Sequence, residues 1–211
     1  MHFFARAVIV VSGCFVCIGA AQTNESVRTI PYAPNRPLSE RLLPDDDVVV
    51  VTMRADEVVT PRRPTARAMA SALLRDYTAI VLRLDRSEGL LVDNGRWIAS
   101  RLTGEVVERL NTVKTTGTAA LKAGTGVSVA MHGGSLRLGR VLLKTDQHVE
   151  LEAGQTYVVF LGEGDEWQHL PLVMHGPLIV EPSGRLRDAS QAKSELNGMT
   201  LESLKRIARS R

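Results

Sequence analysis

A mainly β fold is predicted: a small antiparallel barrel, closed or nearly closed, with one helix before it and a short helix after it. Three observations carry this. Residues 78–85 and 127–132 alternate apolar and polar side chains with a period of two, the pattern of a strand with one buried face. The turn sequences Asp93-Asn94-Gly95, Gly133-Gly134 and Pro182-Ser183-Gly184 separate the strand segments, where a parallel sheet would need helices. Open sheet edges invite unwanted pairing, and closure removes them.

Residues 1–21 read as an export signal. Arg6 ends a short basic stretch, 7–21 is nearly all apolar and small, and Gly19-Ala20-Ala21 supplies a cleavage site. The run falls short of the ~20 apolar residues that a membrane helix needs. The mature form is therefore expected to start near Gln22, in a periplasmic or extracellular space. Both cysteines, Cys14 and Cys17, lie in the signal. Their loss excludes a disulfide framework, a thiol nucleophile and a cysteine-ligated metal. Val11-Ser12-Gly13-Cys14 also resembles a lipidation site, which would anchor the protein at Cys14. The apolar Phe15-Val16-Cys17-Ile18 that follows argues against it.

Residues 22–45 carry Pro31, Pro34, Pro37 and Pro44 among polar residues, and an extended, poorly ordered arm is expected. Asp45-Asp46-Asp47 closes it. The barrel domain is expected over 46–187 as a single domain with one core, and 48–53 is its first candidate strand. A helix follows over 65–77. Ala66, Met69, Ala70, Leu73, Leu74 and Tyr77 share one face at helical spacing, and Thr65 is positioned to cap free backbone N–H groups. Arg67, Ser71 and Arg75 take the solvated face.

From Thr78 the period is two, with Ile80, Leu82 and Leu84 facing inward. Asn94-Gly95 predicts a type I′ hairpin turn. The returning segment 97–110 fits helical spacing as well as strand alternation; Thr103, Gly104 and the preceding turn favour a long strand. A second hairpin is expected from Gly126 to Leu143 about Gly133-Gly134. Val149 and Leu151 alternate with His148, Glu150 and Glu152 as a further strand. Residues 157–161 are apolar on both faces, as in a central strand, and 170–174 and 178–180 read as two more short strands. Residues 188–211 form a polar linker and a short basic helix, with Thr200 as cap and Leu201, Leu204 and Ile207 on one face.

Trp97-Ile98-Ala99-Ser100, Gly133-Gly134 and Gly154-Gln155-Thr156-Tyr157-Val158-Val159-Phe160-Leu161 together resemble a group of exported bacterial proteins of unassigned function, over about residues 77–187. Their barrel is similar to the OB-fold-like barrel of netrin-type and metalloproteinase-inhibitor domains. The resemblance implies an OB-like barrel and carries no catalytic residue with it. Those domains usually hold disulfides, which this mature chain lacks. The inhibitors' reactive N-terminal cysteine has no counterpart, so inhibition is not implied.

The chemistry is sparse. Gly126-Val127-Ser128-Val129-Ala130 approximates the nucleophile elbow of serine hydrolases, but Ser128 lies within strand alternation, where the elbow needs a sharp turn and then a helix. The mature histidines are His132, His148, His169 and His175, and His148 with Glu150 would share one strand face. Asp165, Glu166 and His169 would join His175 only if the last hairpin gathered them, and nothing in the spacing demands a metal site. The basic stretch 205–211 reads as a solvated tail that suits the helix dipole, with phosphate or an anionic membrane surface as the competing reading. Of 26 Lys+Arg against 23 Asp+Glu, one cation, Arg6, lies in the signal. The remaining excess of two, with six mature aromatic residues, speaks against nucleic acid as a partner. No catalytic residue, cofactor site or metal site is assigned. The expected function is that of an exported, non-catalytic module binding a protein, peptide or envelope component. The alternative is a metal-assisted hydrolase using the four histidines.

Overall fold

The computed structural model describes residues 25–52, 64–113, 118, 121–164, 169–190 and 194–210. The predicted signal, its cysteines, Asp165 and Glu166 lie outside them. The elements in chain order are β1 (Val27–Pro31), a short 3-10 helix (Leu38–Arg41), β2 (Val48–Thr52), α1 (Ala66–Asp76), β3 (Thr78–Val92), β4 (Trp97–Arg109), β5 (Gly126–His132), β6 (Ser135–Leu138), β7 (Val141–Thr145), β8 (Thr156–Gly162), β9 (Leu172–Val180), β10 (Leu186–Asp188) and α2 (Leu201–Arg209).

Five strands close into a barrel in the order β3-β4-β5-β9-β8 and back to β3. Numbered in chain order these are strands 1-2-3-5-4-1, an OB-like arrangement. Every pairing is antiparallel except β5 with β9, which is parallel. Ile80, Leu82, Leu84, Leu102, Val106, Val129, Tyr157, Val159 and Leu161 fill the interior. The alternate residues of β3 and β8 point outward: Ala79, Val81, Val158 and Phe160 are buried under α1 and α2 with Leu73, Leu74 and Leu204. That two-sided burial is why 157–161 lacks a polar face. Thr65 and Thr200 cap the two helices by accepting from the Ala68 and Ser203 backbone N–H groups.

At the β3–β4 bulge between Leu84 and Arg86, Gly104 is required: a Cβ there would fall on the Arg83 carbonyl oxygen. The loop after β4 is tied back to the helix end. Asn111 donates to the Leu74 and Tyr77 carbonyls at 2.8 and 2.9 Å and accepts from the Ala79 N–H at 3.0 Å. The Arg109 guanidinium binds the Asn111, Thr118 and Val113 carbonyls.

Several expectations are corrected. From residue 25 onward, the expected arm is not a poorly ordered tail. β1 pairs in parallel with β2, β2 in parallel with β7, and β7 with β6, making a second four-stranded sheet. Ile30 and Leu38 are buried against Trp97, Ile98 and Leu143. The prolines suit this, because Pro31 ends an edge strand and Pro37 precedes the 3-10 turn. The expected single core is therefore three: the barrel interior, the helix layer and this sheet.

Gly133-Gly134 is not a hairpin turn. It carries the chain from β5 in the barrel to β6 in the second sheet, and the hairpin is β6–β7 about Gly139-Arg140. The glycines are needed because the crossover is tight. Ser100 Oγ donates to the Gly133 carbonyl at 3.0 Å, and the Gly134 N–H donates to Thr145 Oγ1 at 3.0 Å. Residues 148–152 form no strand despite their alternation, since no neighbouring strand offers a ladder there. The two short strands at 170–174 and 178–180 are one strand, β9, whose register against β8 shifts twice. The first hairpin loop spans 93–96, with Val92 opposite Trp97; Asp93, Asn94 and Gly95 all take positive φ, and two turns overlap there, one closed by the Gly95 N–H on the Val92 carbonyl and one, with Asn94 and Gly95 central as expected, by the Arg96 N–H on the Asp93 carbonyl. The expected linker is anchored at its described residues: Leu196 is fully buried, and the Asp188 carboxylate accepts from the Ser190 and Ser194 backbone N–H groups at 2.8 and 2.9 Å.

Candidate binding cleft

The barrel closes weakly at one seam. β5 and β9 share only two register pairs, Ala130 with Leu172 and Met131 with Val173. Beyond them the strands part. The chain leaves β5 at His132 for the second sheet, while β9 continues along β8 to Val180. Residues 146–149, following β7, form another wall. Between them lies a cleft of about 610 Å³. Crevices where neighbouring parallel strands diverge hold ligands in open-sheet folds, for the same geometric reason.

Met131 and Val173, both nearly buried, line the cleft from the barrel side, and Met174 is 47% exposed at its lip. His132, Asp146 and His148 add polar groups. His148 is set by the turn after β7, its N–H donating to the Thr145 carbonyl at 3.1 Å. Burial pushes its pKa below the ordinary value and Lys144 adds to this, while Glu150 opposes. Its Nδ1 is buried without a hydrogen-bond partner. Desolvation is the dominant cause of that shift, and it favours the uncharged form of the ring.

The four histidines do not form one site. His132 and His148 line the cleft. His175 lies opposite Phe160 on the outside of the barrel, with ring centroids 5.8 Å apart, and its Nε2 is 3.0 Å from Ser194 Oγ. Burial lowers the His175 pKa, opposed by Asp188 and Glu195. His169 does not line the cleft. Among the described residues no three His, Cys, Asp or Glu side chains come together as a metal-ligand group. Ser128 sits mid-strand in β5 with its hydroxyl 3.1 Å from Thr103 Oγ1 on β4, which is not a nucleophile elbow. In the basic end, Lys205 is engaged by Glu108 at 2.7 Å and Glu202 at 3.1 Å, and Arg206 and Arg209 are exposed.

Sequence reasoning missed the cleft and the His175–Ser194 contact. The cleft arises from a parallel pairing between segments about 40 residues apart, which periodicity does not encode. The contact depends on the register shifts in β9. Only the residue types gave a signal, the histidines and the methionines at 131 and 174. Compared with protein-family models, with curated proteins and with solved structures, the chain matches none.

Proposed function

We propose that this chain is an exported, non-catalytic β-barrel module that binds a protein, peptide or envelope component through the β5–β9 cleft. The cleft itself carries the reading. It is concave, and its lining mixes apolar side chains (Met131, Val149, Val173, Met174 and Pro177) with polar ones (His132, Asp146, Gln147, His148 and Ser190) able to fix the orientation of a ligand. Met174 presents an exposed, unbranched and adaptable side chain at its lip, as surfaces that accommodate a partner tend to do. Export rests on residues 1–21 and on the resemblance to exported bacterial barrel proteins. The barrel order 1-2-3-5-4-1 supports that resemblance.

Two measurements test this. Intact mass of exported material is expected to place the first residue near Gln22; a mass that keeps residues 1–21, or lipid on Cys14, contradicts the processing. A pull-down from an envelope fraction is expected to retain a discrete partner with the wild-type chain and to lose it with Met174→Glu. Nothing retained, or equal retention by both, contradicts the binding reading.

A further inference from the structure

β9 runs along β8 on one side, but its other side is paired only at its two ends. β5 holds Leu172 and Val173, and β10 holds Leu178 to Val180. The Pro171 carbonyl, just before β9, accepts from the Ala130 N–H at 2.9 Å, and the Pro177 carbonyl accepts from the Ala189 N–H at 3.0 Å. Between these two bonds, among the described residues, no strand pairs with Met174, His175 or Gly176 on that side. This gap in the ladder lies at the cleft, whose lining includes Val173, Met174, Gly176 and Pro177. A strand edge left open is a template for another strand. Gly176 adds a second observation. It is exposed, its φ is not positive, and a Cβ there would meet nothing within 4 Å. Neither sterics nor backbone conformation therefore calls for glycine, and a strand glycine also marks a place where another backbone comes close.

We propose that the cleft takes an extended peptide segment, an arm or terminus of a partner protein, whose backbone adds to β9 at Met174, His175 and Gly176 as an extra strand. The inference rests on the partner-binding reading and narrows it to one ligand chemistry. Backbone N–H and C=O groups at strand spacing are matched by another extended backbone, which a sugar or a lipid does not offer. The gap of three residues spans about 10 Å of strand. It is bounded by β5 at one end and β10 at the other, and the 146–149 wall faces it across the cleft. Those boundaries exclude the long sheet edge of a second folded domain and admit a single chain. Asp146, Gln147 and His148 on the facing wall are placed to meet side chains of the added strand.

The probe is a phage-displayed library of short linear peptides, selected on the protein purified from the exporting cell, and then the enriched sequence as a synthetic peptide. One peptide per chain is expected, with the amide signals of Val173, Met174, His175 and Gly176 shifting and gaining protection from exchange. Only every second amide of an added strand faces its neighbour. N-methylation of the peptide at alternate positions is therefore expected to abolish binding for one set of positions and to spare it for the other. Gly176→Val is expected to weaken binding at least tenfold, and Gly176→Ala less, with the peptide-free melting temperature nearly unchanged in Gly176→Ala. No enriched peptide, equal effects of the two N-methylated sets, or full affinity in Gly176→Val overturns the proposal. So does a chain found self-associated with the 173–176 amides already protected, which would make a second copy the occupant. If Met174→Glu loses an envelope partner while no peptide is enriched, the binding reading stands and the added strand falls.

Discussion

The Asp46 carboxylate is almost wholly out of water yet stays ionised, because its surroundings were built for the charge. Arg28 Nε and Nη2 donate to its two oxygens at 2.7 and 2.6 Å, and the Leu43 N–H donates at 2.7 Å. Those arginine hydrogen bonds, against the opposing effect of burial, hold its pKa down from 3.8 to about 2. Arg28 also donates to the Arg41 carbonyl at 2.8 Å, so one ion pair joins β1, the 3-10 turn and the start of β2. A carboxylate with a depressed folded-state pKa stabilises fully above its unfolded value, and the contribution is lost as pH falls through the folded value. Asp46→Asn is therefore expected to cost about 1–3 kcal/mol near pH 6. The gap between the wild-type and mutant melting temperatures is expected to narrow between pH 4 and pH 2. A gap independent of pH over that range contradicts the assignment. At Gly134, where φ is +158, a Cβ would fall on Ser100 Oγ and lie 3.3 Å from the Ala99 carbonyl oxygen. Gly134→Val is expected to lower the melting temperature clearly. Ser128→Ala removes one cross-strand hydroxyl contact and is expected to cost about 0.5–1.5 kcal/mol, with no esterase activity to lose. Ester turnover that disappears in Ser128→Ala would overturn the non-catalytic reading.

β8 illustrates both what periodicity shows and what it leaves out. Its doubly apolar run 157–161 identified a central strand, and β8 is paired on both sides, with β3 and with β9. The sequence does not say which of its two buried faces meets which layer. Phe160 points away from the barrel interior into the helix layer, fully buried beside Val158, Leu74 and Leu204. Phe160→Ala is expected to cost about 3–5 kcal/mol through lost transfer energy and a cavity. Because that cavity lies under α1 and α2, amide exchange in the helices is expected to rise more than in β5. An unchanged denaturation midpoint contradicts this packing. α1, β3 and α2 were legible for the same reason, since Leu73 and Leu74, Ile80 to Leu84, and Leu201 and Leu204 fall at the period of their elements, whereas β4 was read from Thr103, Gly104 and the turn before it because its spacing also fits a helix. The failures share a cause as well. The alternation at 148–152 needs a partner strand that the fold does not place there. β9 hides as two strands because its register shifts, near Gly176-Pro177, interrupt the pattern. β1 hides among prolines because its partner, β2, is parallel and 21 residues away. Local composition carries the period of a strand but neither its neighbour nor its direction.

Three buried layers meet on one barrel, and they explain how a chain of this size stands on apolar packing and a few buried polar ties. The helix layer covers the outside of β3 and β8, and the second sheet packs on the tip of the β3–β4 hairpin. The seam between β5 and β9, with two register pairs, is what remains thinly paired. The same departure of β5 toward the second sheet that thins the seam also opens the cleft, so the added sheet and the candidate site have one structural origin. No helix of the described residues is long and apolar enough to cross a membrane. The central claim is that this cleft is the surface the protein works through. The most direct measurement is photo-crosslinking in the exporting cell, with a benzoylphenylalanine placed at Met174 or, as control, at Val107. Both positions are exposed, and Val107 lies near the far end of β4 from Ala99, the partner of His132, roughly 25 Å along the strand. The account predicts a discrete crosslinked species from position 174 that is absent from position 107. No crosslink from 174, or the same species from both positions, would contradict it.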